Sequence, residues 1–259
     1  MINRSYNPVA THLSMEKFVS KDYDEVRRKY WRFRADRWYG GIATADCVGC
    51  GLTCRFCWVK DKILYNPKES GYFYSPKQVA KKLKLIANNK GYHQVRVSGG
   101  EPTILGTHLL QLLQHLKLLQ PLHFILETNG ILIGHSARFA RELSQFDFLH
   151  VRLSLKGCNG SEFKMLTGAS AHGFSIQLEA LRKLVSEKVS CHAAVMRSFS
   201  STENVLDLKK NLANIHPKLA NELEMEEVIL YPEVKKKIER FKLNCNISHE
   251  TNRIPDHLV

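Results

Sequence analysis

An α/β fold is what this chain predicts: a partial (β/α)6 TIM-like barrel, open on one side, behind an N-terminal helical extension. Three observations lead there. From Gly40 onward, β-rich apolar runs alternate with amphipathic helical stretches, the sign of a parallel sheet with crossover helices. Six β/α units fall within about 200 residues, which suits an incomplete barrel. The whole length, 259 residues, matches one barrel-sized domain with short extensions. The expected division is residues 1–39 as a basic, aromatic extension, 40–245 as the core and 246–259 as a tail.

In chain order, Glu25–Trp38 comes first, a basic stretch with interleaved aromatics. One reading is a contact for nucleic acid or another anionic partner, since arginine pairs phosphate and aromatic rings stack bases. The favoured reading is a helix that packs its aromatic stripe over the barrel, because Trp31 and Trp38 stand seven apart on one helical face. The six strands are expected at Ile42–Cys47, Gln94–Ser98, His123–Thr128, Phe148–Leu155, Val189–Met196 and Glu227–Tyr231. Between them, Val79, Leu83 and Ile86 mark one helix, opened by Ser75 as N-cap with Pro76 at N1. Leu109, Leu112, Leu113, Leu116 and Leu119 line a second, and Ile176, Ala180, Leu181, Leu184 and Val185 a third. Val234, Ile238 and Phe241 give the last helix the same i, i+4, i+7 repeat. No internal repeat or low-complexity tract interrupts the pattern.

Hydrophobic content of 44% is ordinary, and no apolar run reaches the length of a membrane span. Met1–Tyr6 lacks the apolar core of a signal peptide, so a cytoplasmic location is expected. The seven cysteines are odd in number and three are clustered, which fits metal ligation in a reducing compartment better than disulfides. A net charge of +13 favours an anionic partner such as RNA, a nucleotide or an acidic protein. Basic enzymes with no nucleic-acid partner share that balance.

The chemistry concentrates in Cys50-x-x-x-Cys54-x-x-Cys57. Three thiolates on one short loop can hold three irons of a [4Fe–4S] cluster and leave the fourth open for reaction. A zinc site is the alternative, but tetrahedral zinc wants a fourth ligand beyond these three. Cys47 is near, at the strand end before the loop. About forty residues on, Gly99-Gly100-Glu101-Pro102 ends the second strand. Glycines there admit a ligand to the main chain, and Glu101 can accept hydrogen bonds from an ammonium. Glu127-Thr128-Asn129-Gly130 closes the third strand and Ser154-Leu155-Lys156 the fourth.

Together these fragments resemble the radical S-adenosylmethionine (SAM) superfamily over roughly Asp46 to Pro232. Within it they look most like the pyruvate formate-lyase activating enzyme group. The resemblance implies the partial barrel of the radical SAM type and a [4Fe–4S] cluster on Cys50, Cys54 and Cys57. SAM would lie with its methionyl end on Gly99, Gly100, Glu101 and Pro102, and with its carboxylate near Lys156. Ser154 stands where that group carries an acid near the ribose and a cation, and a neutral serine keeps only a hydroxyl for the ribose; Glu127 stands in for an aspartate. Phe56 and Tyr231 are expected against the adenine, and Cys158 near the barrel mouth as a candidate catalytic thiol. The implied activity is reductive cleavage of SAM to a 5′-deoxyadenosyl radical that takes hydrogen from a substrate, as in glycyl-radical activation. Cys57-Trp58 resembles the loop of 4-demethylwyosine synthase and leans instead to RNA modification; a non-catalytic iron–sulfur RNA-binding module is the rival class. A low-potential donor, flavodoxin- or ferredoxin-like, and a protein or RNA substrate are the implied partners.

Overall fold

The computed structural model describes residues 5–22, 25–119 and 122–258. Met1–Arg4, on which part of the signal-peptide reading rests, lie outside them, as does Val259 at the end of the expected tail. The chain opens with α1 (Pro8–Val19), where Asn7 caps by accepting from the Val9 and Ala10 amides. A hairpin follows, β1 (Ser20–Asp22) against β2 (Val26–Asp36). β2 then runs antiparallel along β3 (Ile42–Cys47).

The aromatic, basic segment is therefore mainly strand, not the helix expected of it. Its alternation has the period of a strand: Tyr30 and Phe33 pack on one face, with Phe33 5.0 Å from the Tyr74 ring. Arg32 and Arg34 leave the other face and meet Asp46 on β3. A register shift between Tyr30 and Arg32 absorbs the extra residue. Aromatic and β-branched side chains favour this pleated surface, and a spacing of seven residues does not distinguish it from a helix. Trp38 falls beyond the strand, in a 3₁₀ turn at Trp38–Gly40. The extension thus adds strands to the edge of the barrel sheet.

Helix α2 (Asp61–Tyr65) and β4 (Tyr72–Tyr74), which pairs with β2, follow β3. The repeating units are α3 (Pro76–Lys90), β5 (Gln94–Gly99), α4 (Gly106–Leu119), β6 (His123–Thr128), α5 (Ile131–His135), α6 (Phe139–Leu143) and β7 (Leu149–Leu155). Then come α7 (Gly160–Thr167), α8 (His172–Ser186), β8 (Cys191–Met196), α9 (Thr202–Ala213), α10 (Pro217–Asn221) and β9 (Glu224–Glu226). Strands β3, β5, β6, β7, β8 and β9 pair in that order, all parallel. The full path runs from β1 to β9 without closing. α3 shows why such helices form here: Ser75 and Gln78 make a reciprocal capping box, and Gly91 ends the helix at φ 67°. Its Val79, Ala80, Leu83 and Ala87 are buried against the sheet.

The sixth parallel strand lies three residues earlier than expected. Ala194, Val195 and Met196 pair with Glu224, Met225 and Glu226. Val228–Ile229 (β10), inside the predicted Glu227–Tyr231, instead pairs with Ser248–His249 (β11) in a separate two-stranded sheet. Between them stands α11 (Pro232–Phe241). A strand reading glutamate-methionine-glutamate carries no apolar signal, because its glutamates point at a guanidinium: both reach Arg152.

That pairing belongs to a wider division. Val95, Val97, Val151, Leu153 and Leu155 join the apolar core between sheet and helices. Their alternate neighbours face the concave side, where Arg96 bonds Glu127 at 2.6 Å and Asp36 at 2.5 Å, and Arg152 bonds Glu224 at 2.6 Å. An open barrel leaves its inner face to water and ligands, so the alternation is apolar outward and charged inward.

Candidate active site

The loop after β3 is tied down from several sides. The Gly100 amide donates to the Cys47 carbonyl and the Glu101 amide to the Gly49 carbonyl, both at 2.8 Å. A Cβ on Gly100 would stand 2.2 Å from the Gly49 oxygen, so only glycine lets the two backbones meet. The glycines that were expected to admit a ligand thus first admit the cysteine loop itself. The end of α7 holds the far side of the loop: the Arg55 amide donates to the Leu166 carbonyl at 2.8 Å and the Thr53 hydroxyl to the Thr167 carbonyl at 2.7 Å. From α11, the buried Lys237 ammonium donates to the Cys57 carbonyl at 3.0 Å and the Val59 carbonyl at 2.8 Å.

Cys50, Cys54 and Cys57 are free thiols on this fixed loop. Burial pushes Cys54 up to about 12, against the pull of the Lys156 and Lys237 ammonium groups. It raises Cys57 and Cys50 as well, with the Glu101 carboxylate adding to the effect at Cys50. The Leu52 amide donates to Cys50 Sγ at 3.4 Å, and Asn129 Nδ2 approaches it at 3.7 Å. Among the described residues, no three His, Cys, Asp or Glu side chains converge on a point that would hold one metal ion. Zinc would want four ligands around one centre, whereas a multi-iron cluster can take three thiolates. Three thiols, amide donors to sulfur and two neighbouring ammonium groups fit such a cluster. Cys47 is buried within β3 and outside the loop. A cavity of about 270 Å³ opens beside Cys54, lined also by Asp61, Tyr65, Lys237 and Arg240.

The other predicted residues divide by whether their polar atoms are free. Glu101 is buried, and its carboxylate accepts from the Thr103 amide and hydroxyl, the Thr128 hydroxyl and the Asn129 amide at 2.6–3.0 Å. In the chain alone these bonds brace Glu101 between the strand ends. Pro102 is buried beside it. Glu127 accepts from Arg96, Tyr39 and Ser98; burial pushes its carboxyl up, but Arg96 and Arg152 outweigh that and hold it at about 2. Ser154 Oγ accepts from Arg152 at 3.1 Å and keeps its own proton to donate. Lys156 differs: its backbone amide bonds Gln177, and its ammonium makes no hydrogen bond or ion pair among the described residues.

Phe56 lies buried against Phe199, with centroids 5.4 Å apart. Tyr231 is half-buried, and its carbonyl starts α11 by accepting from Val234 and Lys235. Cys158 contradicts its expected position at the mouth. It is 2% exposed, its amide donates to Glu162 at 2.6 Å, and burial raises its thiol to about 11.

Sequence reasoning found no use for His12. The structure buries it on α1, where Nδ1–H donates to the Pro8 carbonyl at 2.6 Å and Nε2 accepts from Asn129 Nδ2 at 2.9 Å. A Cβ on Gly51 would stand 2.2 Å from its ring. His12 and Asn129 therefore wall the Cys50 side of the loop. A lone histidine on a helix gives no sequence signal for this, because its partners lie on other elements.

With this geometry in place, comparison with known proteins is decisive for the family. The model of the Radical SAM superfamily matches residues 46–208, more than half of the chain. The chain belongs to the radical SAM superfamily. Membership makes it an enzyme whose cofactors are a [4Fe–4S] cluster and SAM. It is 28% identical over 173 residues to the GTP 3′,8-cyclase of Clostridium perfringens strain SM101, covering 65% of this chain and 50% of that protein. By fold it is similar to Streptococcus suis SuiB bound to S-adenosylmethionine, with TM-score 0.56, 18% identity, and coverage of 81% of this chain and 46% of that one. It is also similar to anSMEcpe with bound AdoMet, with TM-score 0.52, 20% identity, and coverage of 70% and 49%. The chain spans half or less of the length of these relatives. Among the described residues, no helix is long and apolar enough to cross a membrane.

Proposed function

We propose that this radical SAM enzyme cleaves SAM reductively at a cluster held by Cys50, Cys54 and Cys57, and passes the resulting radical to a substrate on the open, charged face of the barrel. The observation that carries the reading is the Lys156 ammonium, without a hydrogen bond or ion pair among the described residues, beside a cysteine loop laced to the Gly99–Gly100 strand end. When bound, the cluster would supply the electron and SAM the carbon radical. The chain's own part is positional. Lys156 pairs the carboxylate of the methionyl end, while the main chain at Gly99 and Gly100, braced by Glu101, lines the approach to the loop. Phe56 and Tyr231 flank the adenine, and the Ser154 hydroxyl donates to the ribose. A flavodoxin- or ferredoxin-like protein delivers the electron.

For the substrate, the names of the curated relatives favour a nucleotide. Activation of a glycyl-radical protein rests on Thr128-Asn129-Gly130 and Lys156, but where such a site would place a carboxylate near a cation this chain has Ser154, a neutral hydroxyl.

The test is anaerobic reconstitution with iron and sulfide, then dithionite and limiting SAM, with 5′-deoxyadenosine as the readout. The parent is expected to form it and Cys54→Ala to hold no cluster. Lys156→Ala is expected to keep its iron and lose about tenfold or more in cleavage, the worth of a charge-assisted contact. One zinc per chain in place of iron, or a parental rate in Lys156→Ala, would sink the reading.

A further inference from the structure

One corner of the barrel mouth has polar groups that no part of the cofactor reading uses. Trp58, one residue after Cys57, is 39% exposed. Its ring lies 6.4 Å from that of Trp31 on β2. Between and beside them stands Arg32, its guanidinium 4.2 Å from the Trp31 ring and 5.7 Å from the Trp58 ring. Arg34 lies 6.0 Å from the same Trp58 ring.

Arg32 is anchored at one end only. Its Nε donates to Asp46 at 2.7 Å and its plane rests against Trp31, while both Nη groups make no hydrogen bond among the described residues. The side chain is 37% exposed. A guanidinium fixed by its inner nitrogen and open at its outer pair is a preformed fork for a phosphate. In the same corner, Trp31 Nε1 is a buried donor without a partner among the described residues, whereas Asp46 Oδ1, likewise unpartnered, is an acceptor that cannot hold a phosphate. Buried donors are ordinarily satisfied by protein, water or ligand, so Trp31 Nε1 is available to a bound group. An exposed ring beside an open fork, in a chain of net charge +13, selects a ligand that is flat at one end and anionic at the other.

We infer that Trp58 and Arg32 form a nucleotide subsite, Trp58 stacking the base and the Arg32 Nη groups holding a phosphate. The inference deepens the proposed function and rests on it for the substrate entering beside Cys57. The same chemistry is offered by a free nucleotide or by one within single-stranded RNA.

Binding to the cluster-loaded enzyme is measured with four probes: GTP, guanosine, inorganic triphosphate and a short single-stranded RNA. The parent binds GTP more tightly than either fragment. Trp58→Ala weakens GTP about tenfold or more and leaves triphosphate unchanged, the loss of one base stack. Trp58→Phe retains most of the affinity. Arg32→Gln weakens GTP and triphosphate and spares guanosine, while Arg32→Lys restores part of the triphosphate binding. Saturable binding of RNA but not GTP, with the same response to the variants, assigns the subsite to a nucleotide within a strand. Absence of binding to every probe, or parental affinity in both Trp58→Ala and Arg32→Gln, overturns the inference. Iron content and 5′-deoxyadenosine formation are read on the same preparations. A parent that binds GTP yet fails to cleave SAM defeats the cofactor reading and leaves the subsite standing.

Discussion

At Gly100 the site depends on an atom that is missing. Any side chain there would place Cβ 2.2 Å from the Gly49 carbonyl oxygen, and that oxygen is backbone, with nowhere to go. Gly100→Ala is therefore expected to push the cysteine loop off the strand end, at a cost of about 3 kcal/mol. A lower melting temperature together with lost iron retention would be the measured signature; a fully loaded, parentally stable Gly100→Ala chain would refute this account of the glycine. At this scale, what the sequence made legible follows from chemistry that must be local. Three cysteines on one loop and two glycines at one strand end announce themselves by spacing. What stayed hidden is reciprocal and distant. The four donors that Glu101 meets, on Thr103, Thr128 and Asn129, cannot be counted without the fold. Cys158 looked open because two residues beyond Lys156 is a position, not an exposure. His12 gave no sign at all.

Between elements, α4 and β4 meet through His108, and this contact makes the fold sensitive to acid. The ring is fully buried, Nε2–H donating to the Tyr74 carbonyl at 3.2 Å and Nδ1 lacking a partner among the described residues. Burial, reinforced by nearby Arg28, lowers its pKa from 6.5 to about 3. A histidine held neutral in this way contributes stability that is whole above the unfolded value of 6.5 and is lost as pH falls toward 3. Between pH 7 and pH 5 the loss is about 2 kcal/mol. Chemical denaturation at the two pH values checks it, with His108→Gln expected to flatten the difference; an equal slope in parent and variant would show that His108 is not the titrating group. The element scale also explains the two structural surprises. β2 reads as an amphipathic helix because aromatic and arginine residues sit at spacings that serve either period, and only its pairing with β3 settles which. β9 reads as nothing because its inward glutamates answer Arg152 on another strand.

Taken whole, the molecule is a half-closed barrel whose helices cover an apolar outer face and whose inner face is a belt of paired charges. That arrangement was legible as a fold class, since the alternation of strand and helix survives in the sequence, but its charged interior was not. The last helix contributes to the site by reaching back: Lys237 on α11 donates to the carbonyls of Cys57 and Val59 and pairs with Asp61 at 2.9 Å. Lys237→Met is expected to leave the barrel folded and the loop loose, since two buried carbonyls lose a charged donor worth about 1.5–3 kcal/mol. Iron should then pass to a chelator about tenfold or more faster at unchanged circular dichroism, and parental retention would show that α11 does not hold the loop. A consequence follows for biosynthesis. Lys237 leaves the ribosome 180 residues after Cys57, a delay of roughly 10–40 s at ordinary elongation rates. Throughout that interval the nascent thiols have neither their α11 clamp nor, for much of it, the α7 carbonyls that fix Thr53 and Arg55. Until α11 is made, the three thiols therefore stand on a loop that lacks the Lys237 contact to the Cys57 and Val59 carbonyls.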